Sequence, residues 1–366
     1  MAKANNFSPN YGILPHSFIQ RDDIIAKLGV AVANKYSPFR STIIDGLRGV
    51  GKTTLALEFE RLVKKNDKSA IIIHVTNQIN MSDDIIDGLR LHIKPKNKLK
   101  GANANVLGTG LGVTTDQEIY QPQSFSGKVQ QIMEQIGSKR FVLFVIDEVQ
   151  GNLDGLRQFG TVFQELKNTY NVMVIFTGLS NYVDSMLTDK LLTFLQRSER
   201  LTLTALDESA IAQKYLSIFG QNGKTIAPQI ALRLANLSAG YAFAFQAIGY
   251  QIWETGDAVI DEQTIQKALP FIQLQMNKKV FELIDRDLPK KRHEFLLQMA
   301  QSQIRASAAE MNERVDGNVN SINQLRIELI KMDLIKKVSA GYVWYTLPFM
   351  REFYFEKLHA DPIENW

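Results

Sequence analysis

Apolar residues in this chain follow two rhythms. Short, nearly continuous runs lie at 42–45, 70–75, 141–147, 172–177 and 201–203, and longer stretches with helical spacing separate them. After the first run, Leu55, Phe59, Leu62 and Val63 recur as one face of a helix. Brief continuous runs read as strands buried on both faces, and strands alternating with helices predict a parallel α/β sheet. From about residue 207 to 270 the pattern turns helical throughout. There "LANLSAGYAFAFQAIGYQIW" crowds aromatic residues and alanine into what reads as a small helical core rather than a cofactor box. A third unit begins near 277. Ser307 and Glu310 stand in capping-box spacing, and "DGN" at 316–318 breaks the chain. The helix that follows is expected to bury Ile322, Leu325, Leu329 and Met332, and "IKKVSAGYVWYTLP" reads as a hairpin around Ala340 and Gly341. Helix, turn, helix and hairpin predict a winged helix. The expected division is therefore an α/β core at 1–206, a helical lid at 207–276 and a winged-helix domain at 277–366.

One stretch interrupts the alternation. In the insert 94–123, Lys94, Lys96, Lys98 and Lys100 occupy every second position, with no acid before Asp116, and glycines follow. It reads either as a hairpin that touches nucleic acid or a partner, or as a solvated loop.

Chemistry enters where the third run ends. "FVLFVIDEVQ", residues 141–150, carries six apolar residues straight into two carboxylates, Asp147 and Glu148. Carboxylates at the rim of a core are costly unless a cation or a proton-transfer task holds them, although a strand entering a solvated loop has the same appearance. The decision comes from upstream. "GLRGVGKT", Gly46 to Thr53, fits G-x-x-x-x-G-K-[ST] and sits between a strand and a helix, the context that the phosphate-loop motif requires. Gly46, Gly49 and Gly51 let the backbone, with Leu47, Arg48 and Val50, wrap phosphates at the positive end of a helix. Lys52 is placed to reach the β- and γ-phosphates, and the Thr53 hydroxyl to ligate Mg²⁺. In that setting Asp147 is the expected Mg²⁺ carboxylate and Glu148 the general base that polarises the attacking water. Thr177 ends the fourth run, where ligands sit in such sheets, and either senses the γ-phosphate or caps the next helix. The residues therefore predict a site for ATP and Mg²⁺.

Composition trims the alternatives. There is no cysteine, which excludes disulfides, thiolate metal sites and a cysteine nucleophile. His16, His74, His92, His293 and His359 show no ligand spacing and read as structural imidazoles. No apolar core of a signal peptide opens the chain and no apolar run approaches membrane-spanning length, so no membrane association and a cytoplasmic location are expected. A net charge of +4 does not by itself announce a nucleic-acid partner.

The chain resembles the bacterial and archaeal AAA+-type ATPases related to origin-recognition initiators and STAND signalling ATPases. The likeness is carried by "FIQRDDIIAKL", "GLRGVGKT", "VIDEVQ", "LLTFLQRSERLTLTAL" and "GYAFAFQAIGYQIW", and it extends over nearly the whole chain. It implies a P-loop NTPase fold with strand order 5-1-4-3-2, a helical lid and a C-terminal winged helix. It assigns Gly51, Lys52, Thr53 and Thr54 to phosphates and Mg²⁺, Asp147 to Mg²⁺, Glu148 to water and Thr177 to the first sensor. Arg197 or Arg200 would stabilise γ-phosphate charge, from the same chain or a neighbour, and Arg21 would lie near the adenine. The sequence departs from the family in the lid, where Ala242 and Phe243 replace the initiators' arginine and Ala242 replaces a proline. That departure implies slow hydrolysis or a nucleotide-gated switch.

Three functions follow from the resemblance. ATP binding and slow hydrolysis would fix a homo-oligomer while the winged helix holds duplex DNA. Alternatively, ATP occupancy would signal to a protein partner docked on the winged helix, or the chain would serve a toxin-, plasmid- or phage-linked defence module. From 278 to 366 there are 14 Lys or Arg against 13 Asp or Glu, and the predicted recognition helix carries only Arg326 and Lys331 as basic residues. A clearer basic footprint is usual for DNA-binding modules.

Overall fold

The computed structural model describes residues 4–93, 122–150, 152–188 and 192–360. The expected insert lies, apart from its last two residues, outside the described residues.

Five strands form the central sheet: β1 (Ser41–Asp45), β2 (Ile71–Thr76), β3 (Val142–Asp147), β4 (Val172–Gly178) and β5 (Glu199–Thr202). They lie in the order β2-β3-β4-β1-β5, and every pairing is parallel. Read from the other edge, this is the expected order 5-1-4-3-2. The inner strands are apolar on both faces because helices cover both. Ile44, Val145 and Ile175 point to one face, with α1 (Asp22–Ala33) and α2 (Lys52–Asn66) packed on it. Ile43, Phe144 and Phe176 point to the other, against the helices Met81–Arg90, Phe125–Ile136 and Leu153–Thr169. The fifth strand begins two residues earlier than its apolar run suggested. As an edge strand bonded only to β1, it accommodates the polar Glu199, Arg200 and Thr202.

Four longer helices follow the sheet: Glu208–Gln221, Pro228–Ser238, Ala242–Glu254 and Glu262–Met276. Their aromatic core is completed from the far end of the chain. Phe7, 2% exposed, packs among Tyr215, Phe219 and Phe245. It fills a notch at Gly249, where any side chain would collide with its ring.

The last of these helices runs on through a π-helical stretch, Asn277–Phe281, into the C-terminal unit. Met276, Val280, Phe281 and Phe353 consequently belong to one core shared by the lid and the C-terminal elements. That unit contains the helices Lys290–Met299, Ala308–Arg314 and Val319–Lys331, the strands Ala306–Ser307, Ile335–Ser339 and Tyr342–Tyr345, and the final helix Met350–His359. Its three strands form an antiparallel sheet with Tyr342–Tyr345 in the middle. The capping box is present: the Glu310 N–H donates to Ser307 Oγ at 3.1 Å, and the Ser307 N–H donates to Glu310 Oε2 at 2.7 Å. Ile322 and Leu329 are buried as expected, while Leu325 and Met332 are only partly covered. Among the described residues no helix is long and apolar enough to cross a membrane.

Candidate nucleotide site

The loop between β1 and α2 is the floor of a cleft of about 490 Å³. Backbone conformation makes the loop. Gly51 caps α2 with φ 103°, and Gly49 has φ 77°, both in the left-handed region where glycine is favoured. Gly49 has a second reason. The Tyr241 ring lies over it and donates its hydroxyl to the carbonyl of Arg48, leaving no room for a side chain. The Phe243 N–H also donates to the Gly49 carbonyl at 3.1 Å, so the start of the lid helix Ala242–Glu254 rests on the phosphate loop. Ala242, where initiators carry arginine, stands near Gly51 and brings no charge.

Lys52 is the first residue of α2, and its ammonium donates to the carbonyls of Gly46 at 3.0 Å and Leu47 at 2.8 Å. Burial pushes its pKa down to about 8, against the pull of Asp147 and with help from the neighbouring Arg48 charge. The next side chain meets the other half of the motif: Thr53 Oγ1 donates to Asp147 Oδ2 at 3.0 Å. Asp147 Oδ1 accepts from the Thr177 hydroxyl and from the Glu148 N–H at 3.0 Å. Thr177 is fully buried on β4 and directed at Asp147; the following helix, Ser180–Leu187, has no side-chain cap. Glu148 is exposed in the cleft, with φ 56°. A left-handed glutamate is uncommon, and here it turns the chain sharply at the strand end so that consecutive carboxylates occupy separate positions.

These donors fit Mg²⁺. A carboxylate and a hydroxyl are hard oxygen ligands within hydrogen-bond reach of each other, and Mg²⁺ typically takes one or two such groups plus substrate phosphates. Among the described residues no group of three or more His, Cys, Asp or Glu could cage a metal without such help.

The arginines of the sequence reading are placed differently. Arg21 lines the cleft and donates to the carbonyls of Thr204 at 2.8 Å and Val50 at 3.4 Å. Arg200 does not line the cleft. Its guanidinium is held by Asp45 and Asp184, each at 2.6 Å. Arg197 is exposed at the other end of the sheet, just before Ser198, whose hydroxyl meets that of Ser41 at the start of β1. The phosphate loop leaves the far end of that five-residue strand, roughly 13 Å away along β1. Arg48 and Thr54 line the cleft; Val50 also lines it and is buried. Leu47 is half-buried against both adjoining cores.

Other cleft residues were not apparent from the sequence. Ser8 to Gly12 of the N-terminal segment form part of the wall, with Tyr11 stacked on Phe243 at 5.2 Å. Gln246 of the lid pins this segment, accepting from the Ser8 N–H at 2.9 Å and donating to the Ser17 carbonyl at 2.5 Å. Behind the cleft wall, Asn77, just after β2 and 2% exposed, donates its N–H to the Asp147 carbonyl at 2.9 Å. Nothing in the local pattern marks these positions, because each partner lies far away in sequence.

Residues 37–187 match the family model of an AAA domain. This part of the chain is an AAA-type P-loop ATPase domain. The matched region runs from just before β1 to the helix after β4, and so contains Lys52, Thr53, Asp147, Glu148 and Thr177. Residues 278–354 match a second family, a domain of unknown function (DUF8462). No curated protein matches the sequence. Among solved structures, the Walker-type ATPase paby2304 of Pyrococcus abyssi shares 16% identity, with 92% of this chain and 95% of that chain covered and a TM-score of 0.60. The ORC2 protein of Aeropyrum pernix, in its ADPNP–ADP complexes, shares 12% identity over 94% of this chain and 96% of that chain, with a TM-score of 0.63. These likenesses show a common fold, and they extend through the lid and the C-terminal unit.

Proposed function

We propose that this ATPase binds ATP with Mg²⁺ in the cleft, hydrolyses it slowly, and uses ATP occupancy to fix an oligomer and the engagement of duplex DNA. The observation that carries the reading is Thr53 donating to Asp147 at 3.0 Å beneath the phosphate loop, with Glu148 turned into the same cleft. Mg²⁺, when bound, would supply positive charge that offsets the charge developing on the transferred phosphoryl group. Thr53 and Asp147 would hold it, Lys52 would leave its two loop carbonyls for the phosphates, and Thr177 keeps Asp147 oriented. Glu148 takes the proton of the attacking water. The uncharged lid position at Ala242 supports a slow rate.

The C-terminal unit supports the DNA half of this reading. Its order of elements is that of a winged helix, with Val319–Lys331 as the recognition helix and Ile335–Tyr345 as the wing. Asn320, Asn323 and Gln324 are exposed on that helix, and Lys336 and Lys337 on the wing. Binding of purified protein to duplex DNA over a salt series, with and without ATP, tests it. Tighter binding with ATP and a log–log salt slope of several units are expected. Binding that ignores ATP, or is absent at low salt, would remove DNA from the proposal.

One observation favours the signalling alternative. Burial raises the pKa of Asp333, in the turn after the helix Val319–Lys331, and the charges of Asp45 and Asp184 raise it further. Asp333 of the C-terminal unit thus lies close enough to Asp45, at the end of β1 from which the phosphate loop springs, for the two charges to act on each other. In this reading the docking of that unit on a protein partner is what ATP controls.

A further inference from the structure

Three cations line the cleft, and they are not equally committed. Arg21 donates to the carbonyls of Thr204 and Val50, and Lys52 to those of Gly46 and Leu47. Arg48 pairs with no carboxylate and its guanidinium donates no hydrogen bond among the described residues. It projects from the phosphate loop towards Tyr11, with the guanidinium carbon 6.0 Å from the ring centroid. Tyr11 is itself held on two sides. Its ring stacks on Phe243 of the lid at 5.2 Å and an interplanar angle of 12°, and its hydroxyl donates to the Lys279 carbonyl at 2.9 Å. Lys279 lies in the π-helical stretch that joins the lid to the C-terminal unit.

We propose that Arg48 supplies γ-phosphate charge stabilisation from within the phosphate loop itself, with Tyr11 as the residue that positions it. This rests on the ATPase reading above and names a residue for it. The other sources of positive charge are spent or distant. Arg200 is bound to Asp45 and Asp184, the lid offers Ala242, and Arg197 of the same chain lies at the opposite end of β1. Arg48 and Lys52 share one partly buried loop, and two cations so placed repel each other. A polyphosphate relieves that repulsion, which makes the pair a stronger anion site than either cation alone. A guanidinium also offers paired donors to phosphate oxygens that an ammonium lacks. The stack under Tyr11 restrains the guanidinium before nucleotide arrives, and preorganised charge is the kind that lowers a transition state.

The test compares Arg48→Gln and Arg48→Lys with Tyr11→Leu and Tyr11→Phe. ADP and ATP affinities are measured by titration calorimetry with Mg²⁺, and hydrolysis in a single turnover. For Arg48→Gln, ADP affinity should stay within ~3-fold, while the single-turnover rate falls ~100-fold and the preference for ATP over ADP is lost. Arg48→Lys should recover part of the rate. Tyr11→Leu should lower the rate ~10-fold, and Tyr11→Phe, which keeps the ring, should stay within ~2-fold. Arg48→Gln with wild-type preference and rate overturns the proposal. So does a variant that loses ADP as fully as ATP, since that would make Arg48 a general part of the loop. A Tyr11→Leu variant as fast as wild type overturns the positioning role. Failure of the ATPase reading is distinct, because the wild-type protein would then bind neither nucleotide.

Discussion

The Arg200 guanidinium lies 2.6 Å from the carboxylate of Asp45, which is completely buried at the end of β1 and also accepts from Thr202 Oγ1 at 2.8 Å. Burial would push that carboxyl up, but the hydrogen bonds from Arg200 and Thr202 outweigh it and hold the pKa below its ordinary value. The pair therefore secures the strand from which the phosphate loop springs. Arg200→Ala leaves the buried Asp45 carboxylate without its cation, with the Thr202 hydrogen bond remaining, and stability should fall by about 2–3 kcal/mol. This is less than for a fully buried pair, because the guanidinium is a third exposed to screening water. Thermal unfolding without nucleotide checks this, and Arg200→Ala with Asp45→Asn should regain much of the loss. A melting temperature equal to wild type in the single variant would free Arg200 for a direct catalytic role.

The carboxylates at the end of β3 should separate in function. Glu148→Gln preserves shape but cannot accept a proton, so ATP should bind normally and its hydrolysis fall by ~10²–10⁴. Asp147→Ala removes the partner of both Thr53 and Thr177, and Mg²⁺-dependent ATP binding itself should weaken. Parallel binding and turnover assays distinguish the two; wild-type turnover in both variants would refute the assignments.

Arg197 is exposed and at the far end of the sheet from its own phosphate loop, and we propose that it acts on a neighbouring subunit's nucleotide. Arg197→Ala and Lys52→Ala chains, each inactive alone, should regain ATPase activity on mixing. An arginine supplied across an interface is worth ~10³–10⁵ in rate, so even a small fraction of intact interfaces is measurable. Turnover per chain should also rise with protein concentration. No rescue, with concentration-independent turnover, would leave Arg197 without that role.

The lowered pKa of Lys52 predicts proton uptake on binding. Near pH 8 about half of these side chains are neutral in the free protein, and an approaching phosphate restores the charge. ATP binding at pH 8 should take up about half a proton through this group, falling towards none at pH 6.5. Calorimetry in two buffers of different ionisation heat measures it, and Lys52→Arg should abolish it. The sign for folding follows. Between about 8 and the ordinary value of 10.5 the unfolded chain binds more protons, so stability of the free protein should rise with pH through that window.

The sequence by itself determined the strands of the sheet and the heart of the site, because those depend on local features, whereas the strand order was implied only by the family resemblance. A strand–glycine–helix loop holds all its information in adjacent residues. Asp147 and Glu148 are marked by the apolar run that ends on them. The strand ends shifted by a residue or two, and β5 was less visible because an edge strand need not be apolar. What only the tertiary structure decided are relationships between distant residues. Arg200 looked like a phosphate ligand next to the loop strand, yet the parallel register of β5 on β1 brings it to Asp45, 155 positions away. Thr177 had two open roles, and β4 lying beside β3 directs its hydroxyl to Asp147. Phe7 and Tyr11 carried no periodic signal at all. Their value comes from the lid that folds over them, since a side chain's burial and partners are set by whichever surface the chain returns to it.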